Sequence, residues 1–172
     1  MTDGSALYYT FSTIAQCLAG AIALLGAFVL WRLETLHAEK SQRSEQILAP
    51  LSGSARDEDA KAAYARGDFA SVLDISQVVI TRPEPRVAYS RMRLKAITAH
   101  ETSLMRWFWI ALFTSVATIS LSVAALAATP RILEAGFGDE TLAAGVGSFV
   151  ACLLTYALLM RAALRSTAEH ED

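Results

Sequence analysis

From Tyr8 to Trp31 the chain reads YYTFSTIAQCLAGAIALLGAFVLW, without a single charge, and it ends against Arg32. As a helix this stretch is about 36 Å long at about 1.5 Å per residue, enough to cross a hydrocarbon core of about 30 Å with some tilt. Backbone N–H and C=O groups find no partner in lipid, so a spanning stretch of this kind has to be helical. Tyr8, Tyr9 and Trp31 fall at its ends, where amphipathic rings prefer the membrane interface.

Two further uncharged blocks follow. Trp107–Ala128 is anchored by Arg106, Trp107 and Trp109 at one end, and Thr129-Pro130 is expected to close it, because proline lacks an N–H and restricts the residue before it. Leu142–Met160 is shorter, glycine-containing at its start, and followed by Arg161 and Arg165. The chain is 53% hydrophobic and 19% charged, against about 45–50% and about 25% in soluble domains. The excess lies in these three blocks. The expectation is an all-α integral membrane protein with three transmembrane helices, multi-pass in a cell (inner or plasma) membrane.

The basic residues orient it. Of 15 Lys and Arg, 12 lie between Arg32 and Arg106, two follow the third block, one (Arg131) lies between blocks two and three, and none precedes the first. Cytoplasmic loops carry the excess of Lys and Arg. The organisation expected is therefore a short extracytoplasmic N-terminus (1–7), a first span (8–31), a cytoplasmic domain (32–106), a second span (107–128), an extracytoplasmic turn (129–141), a third span (142–160) and a cytoplasmic tail (161–172). MTDGSAL has no positive charge, unlike the basic start of a cleaved signal peptide, so the first span is expected to be retained.

The cytoplasmic segment reads as helical. No breaker interrupts Arg32 to Ala49, and Val87, Ser90, Leu94, Ile97, Glu101, Leu104 and Phe108 recur at 3-4 steps into block two, the spacing of a heptad seam. Leu33, Leu36, Lys40, Arg43 and Ile47 provide a facing set. Helices 1 and 2 are expected to extend into a cytoplasmic stalk, an antiparallel hairpin, with the second starting near Pro85. Glu101 is positioned to pair with Lys40 or His37, and His37 and His100 to approach each other. Between the two arms, Asp57 is expected to cap a helix ended by Gly67, and Asp68 a second through about Ile80.

The polar residues within the spans fall on faces: Ser12, Gln16, Gly20, Ala23 and Ala27 in the first; Thr114, Thr118, Ser122 and Ala125 in the second; Ala144, Ser148, Ala151 and Thr155 in the third. Small residues allow close helix approach and hydroxyls or amides bond across helices. These faces are expected to pack against other helices, with a Ser/Thr/Gln-lined pore as the alternative. Gln16 stands out, because a bare amide facing lipid is costly.

No Asp, Glu, Lys, Arg or His lies inside the three blocks, which disfavours proton-coupled pumping and voltage sensing. Cys17 and Cys152 each stand alone in an apolar block, which suits packing rather than a disulfide framework or a metal site. Arg82, Arg86, Arg91, Arg93, Lys95 and Arg106 form a basic run, but 12 basic residues face 10 acidic ones over 32–106, too balanced for nucleic acid. No nucleophile–base pair, phosphate loop or sequestered carboxylate pair can be assembled. The expectation is no enzyme and no cofactor, but a non-enzymatic assembly, scaffold or accessory subunit. Its partners would be the lipid bilayer and either copies of itself or a larger membrane complex. A small oligomeric channel is the alternative.

Overall fold

The computed structural model describes residues 4–81 and 83–168, with side chains through Leu164. Arg82 of the basic run, the Arg165 side chain and the 169–172 end of the tail lie outside the described residues.

The described chain is helical throughout, with no strand among the described residues. Helix α1 runs Gly4–Leu48 and leads into a 3-10 turn, Ala49–Leu51; α2 is Asp57–Ala65, α3 Phe69–Val79, α4 Pro85–Glu134 and α5 Gly138–Ala168. Helices α1, α4 and α5 are each long and apolar enough to cross a membrane, which suggests a multi-pass membrane protein. The strand-prone run Gln77–Thr81 does not form a strand: α3 holds it as helix through Val79.

Two helix boundaries differ from the sequence expectation. Pro130 does not end the second long helix, which continues to Glu134. Proline at 130 removes an N–H and so frees the Leu126 carbonyl four residues earlier, a loss the helix tolerates so near its end; the Thr129 hydroxyl bonds the carbonyl before it, that of Ala125, at 2.9 Å. The stop is Gly136, at φ +77. Its N–H donates to Leu133 O at 3.1 Å, and that of Phe137 to Ile132 O at 3.1 Å. This is a Schellman ending, which requires a left-handed residue. Second, Asp57 is the first residue of α2 rather than its cap, which is Arg56. The Asp57 carboxylate accepts instead from Gly53 N–H at 3.2 Å and Lys61 Nζ at 2.9 Å. Gly67 ends α2 at φ +73, and Asp68 caps α3 by accepting from Ser71 N–H at 3.1 Å.

The contacts divide the chain into two compact units, 1–30 with 103–172, and 31–102. The first consists of the N-terminal part of α1, the C-terminal part of α4, and α5. Its interior takes Leu7, Phe11, Ile14 and Leu18 from α1, Ala111, Ser115, Thr118, Ser122 and Ala125 from α4, and Cys152, Tyr156 and Leu159 from α5, all buried.

The second unit holds the remainder of α1 and α4 with α2 and α3 between them. Ile47, Leu51, Ala60, Ala63, Phe69, Val72 and Leu94 form its core. Cross-links between the two long helices fix them antiparallel: Arg93 Nε donates to Glu39 Oε1 at 2.9 Å, Ser90 Oγ to Gln46 Oε1 at 2.8 Å, and Lys40 Nζ to Glu101 Oε2. Gln46, further along α1, pairs with Ser90, early in α4, while Glu39 and Lys40 pair with the later Arg93 and Glu101.

Candidate functional site

In the unit of the three apolar helices, the sequence dictates a polar ladder along α4. Ser115, Thr118, Ser122 and Thr129 recur at helical spacing and are all buried. Each hydroxyl donates to the carbonyl four residues earlier: Ser115 to Ala111 at 2.6 Å, Thr118 to Thr114 at 2.9 Å, Ser122 to Thr118 at 2.8 Å, and Thr129 to Ala125. In a medium without water such self-satisfaction lets a hydroxyl sit in an apolar interior. Two rungs also reach α5. Ser115 Oγ lies 2.5 Å from Tyr156 Oη, and Thr118 Oγ1 lies 3.2 Å from Cys152 Sγ. These two contacts set the α4–α5 register.

In the same interior, the Phe11 ring presses on Gly145. A Cβ at 145 would stand 2.4 Å from Phe11 Cε1, so only glycine fits there. Beside this contact opens a cleft of about 310 Å³ lined mainly by Phe11, Leu121, Ala125, Phe137 and Gly145, with Glu140 at its rim.

The anticipated faces are placed as follows. Thr118 and Ser122 are inside; Thr114, Ser148 and Thr155 are half-buried, and their hydroxyls donate to carbonyls of their own helices. On α1, Ser12 is half-buried, while Gln16, Gly20, Ala23 and Ala27 face outward, as Ala151 does on α5. The unit's own interior is thus not built from the Gln16 face: α1 turns Phe11, Ile14 and Leu18 inward instead. Ser115 and Tyr156, which join α4 to α5, are absent from the anticipated faces. Tyr156 lies four residues from the end of the third block, where a tyrosine reads equally well as an interfacial ring that needs no buried partner, so the sequence alone does not mark it.

In the second unit, Leu36, Ile47, Leu94 and Ile97 of the anticipated seam are buried, and Leu33 and Glu101 are half-buried; Leu104, in the first unit, is also buried. Lys40, only 6% exposed, meets Glu101 and lies over the Phe69 ring at 5.9 Å. Tyr64 of α2 bridges to α1, with its hydroxyl 2.8 Å from Ser41 Oγ and donating to Glu45 Oε1 at 2.7 Å. The basic run disperses: Arg93 is paired with Glu39, and Arg91 donates to the Ser76 and Ile80 carbonyls at the end of α3. The Ser76 carbonyl also accepts from the Ile80 N–H at 3.0 Å, while that of Ile80 lies past the last helical turn. Burial pushes the Arg91 pKa down from its ordinary value, which still leaves an arginine charged.

His37 sits edge-on to Phe69 at 5.4 Å, and His100 lies beside Arg32, whose charge adds to burial in lowering the His100 pKa. An open groove of about 670 Å³ separates the end of α1 from the start of α4, lined by Arg43, Gln46, Pro50, Glu84, Arg86 and Tyr89. The Arg43 guanidinium covers the Tyr89 ring at 5.5 Å.

The chain matches no family model, no curated protein and no solved structure.

Among the described residues no three His, Cys, Asp or Glu side chains gather as a metal site. The buried hydroxyls of α4 are committed to helix carbonyls, two of them also to α5, and in the second unit Lys40, Ser90 and Arg93 are committed to cross-helix bonds.

Proposed function

We propose that this chain is a non-enzymatic assembly or accessory subunit of a membrane complex. It would act through helix–helix contacts in the bilayer and through its helical 31–102 unit. The observation that carries this reading is the outward face of α1. Gln16, Gly20, Ala23 and Ala27 are exposed together within an uncharged stretch whose one side-chain amide is Gln16. In lipid a primary amide has no hydrogen-bond partner, and small neighbours allow another helix close enough to supply one. The occupant that best satisfies both is the same face of a second copy, because an amide both donates and accepts and so pairs with itself.

The distribution of Lys and Arg supports an orientation with the N-terminus outside, residues 32–106 and the C-terminal tail in the cytoplasm, and the turn near Gly136 outside. Reporter fusions at Ser54 and Glu134 test it: they should report opposite sides, and the same side for both would refute it.

The second reading, a small oligomeric channel, draws on the same exposed amide. Several copies arranged with Gln16 inward would line a lumen. The buried ladder of α4 does not favour it, since Ser115, Thr118 and Ser122 are used up inside one chain. Purified protein in liposomes separates the two readings: the assembly reading expects no ion flux above that of empty vesicles.

A further inference from the structure

Arg32 is nine-tenths buried, at 9% exposure, and its Nε has no hydrogen-bond partner. It forms no ion pair among the described residues, where the pairs are Lys40–Glu101, Lys61–Asp57 and Arg93–Glu39. Beside it His100 presents a buried Nε2 that is likewise without a partner. A guanidinium cannot shed its charge inside a protein, and a buried charge left uncompensated costs several kcal/mol.

The chain's own acids in this unit do not supply the counter-charge. Glu34, two residues on along α1, is exposed and lies on the far side of the helix. Glu39 and Glu101 are bound to Arg93 and Lys40, and Glu45, which accepts from the Tyr64 hydroxyl, and Glu84 are exposed. On α2, Asp57 is held by Gly53 and Lys61, and Glu58 and Asp59 are exposed; on α3, Asp74 is exposed, and Asp68 before it caps the helix. Between Pro85 and Thr102, α4 carries no acid besides Glu101.

We propose that Arg32 and His100 form a binding site for a phosphate oxyanion, taken from a phospholipid headgroup or from solution. A phosphodiester carries one negative charge, which matches the one positive charge of Arg32, and its planar donors suit phosphate oxygens in pairs. His100, as the Nε2–H tautomer, gives a neutral donor to a third oxygen. The site follows Trp31 directly, where the first apolar block ends and lipid phosphates sit if α1 spans a bilayer. An arginine serving only as a topology signal would snorkel outward; Arg32 keeps its Nε buried in the protein. This inference does not depend on the assembly reading above.

The test uses the full chain in a phosphate-free, uncharged detergent, with two readouts: the melting temperature and the His100 imidazole nitrogen resonance, assigned with His100→Gln. The probes are inorganic phosphate, phosphatidylglycerol in mixed micelles, and diacylglycerol as a phosphate-free control. Saturation about a hundredfold above Kd should raise the melting temperature of the unaltered chain by about 5 °C and shift the His100 resonance. Arg32→Met, which keeps the volume without the charge, should fold and lose both responses, and Arg32→Lys should retain part of them. Response to both phosphate probes identifies a general phosphate site; response to phosphatidylglycerol alone identifies a headgroup site held in place by its acyl chains. The proposal is overturned if Arg32→Met responds like the unaltered chain, if diacylglycerol acts as well as phosphatidylglycerol, or if no probe moves His100. It is also overturned if deleting 169–172 alone shifts the His100 resonance, which would assign the counter-charge to the chain's own carboxylates.

Discussion

The Phe11 ring rests on the bare backbone of Gly145: a Cβ there would come within 2.4 Å of Cε1 and 2.7 Å of Cζ. An aromatic ring cannot bend aside, so one added methyl has to move a helix or the ring. Gly145→Ala is expected to destabilise the protein by about 1–3 kcal/mol, a fall of roughly 2–10 °C in melting temperature. Gly147→Ala is the control, because nothing lies within 4 Å of a Cβ there, and it should be neutral or slightly stabilising. Phe11→Leu should restore part of what Gly145→Ala loses. Thermal unfolding in one detergent reads all four chains.

The bond between Ser115 and Tyr156 predicts a smaller effect. Interhelical hydrogen bonds in membranes average about 0.6 kcal/mol and reach about 1.7. Ser115 keeps its bond to the Ala111 carbonyl when Tyr156 is lost, which limits the damage of Tyr156→Phe. A double-mutant cycle of Tyr156→Phe with Ser115→Ala should give a coupling in that range. A coupling indistinguishable from zero would mean the two hydroxyls do not meet.

Lys40 and Glu101 illustrate the asymmetry of buried pairs. Lys40 is 6% exposed, so Glu101→Gln leaves a nearly buried ammonium without its carboxylate. Breaking such a pair from one side costs about 3–5 kcal/mol when both groups are buried. With the Glu101 side chain 35% exposed, about half of that is expected. The double substitution Lys40→Met, Glu101→Leu should recover most of the loss, since apolar replacement of a whole pair is often neutral. Chemical denaturation of the three variants checks the order.

His100 gives a pH dependence of definite sign. Burial first, and then the Arg32 charge, hold its pKa below the ordinary 6.5. The unfolded chain therefore takes up a proton at this site before the folded one does. The stability contributed by a neutral His100 is complete above about pH 6.5 and declines as pH falls through the window beneath it. In phosphate-free detergent, the melting temperature of the unaltered chain should drop more steeply below pH 6.5 than that of His100→Gln. Equal slopes would contradict the burial of His100.

Much of the architecture was legible from chemistry that has few solutions. Uncharged stretches of spanning length must be helices, Pro85 suits a first helical position, Gly67 followed by Asp68 is a stop and a start, and the 3-4 spacing from Val87 to Ile97 picks out residues that are all buried. The apolar unit was harder to read because its outer surface is apolar too, so polarity does not sort inside from outside. Shape does: α1 buries Phe11 because Gly145 leaves room for it, and no pattern within α1 announces a glycine more than a hundred residues away. Pro130 misled for a local reason, since a helix that ends four residues later loses little by accepting it. The burial of Arg32 was illegible, because a basic residue at the end of an apolar block reads the same whether it snorkels outward or turns inward.

The most direct test of the assembly reading is the molecular mass of the purified chain in a mild detergent, compared with that of Gln16→Leu. The account predicts a defined oligomer, or a stoichiometric complex with a partner protein, for the unaltered chain. It predicts a shift to monomer for Gln16→Leu at the same concentration, with helicity unchanged. A monomer without a co-purifying protein, or an assembly that Gln16→Leu leaves intact, would contradict it.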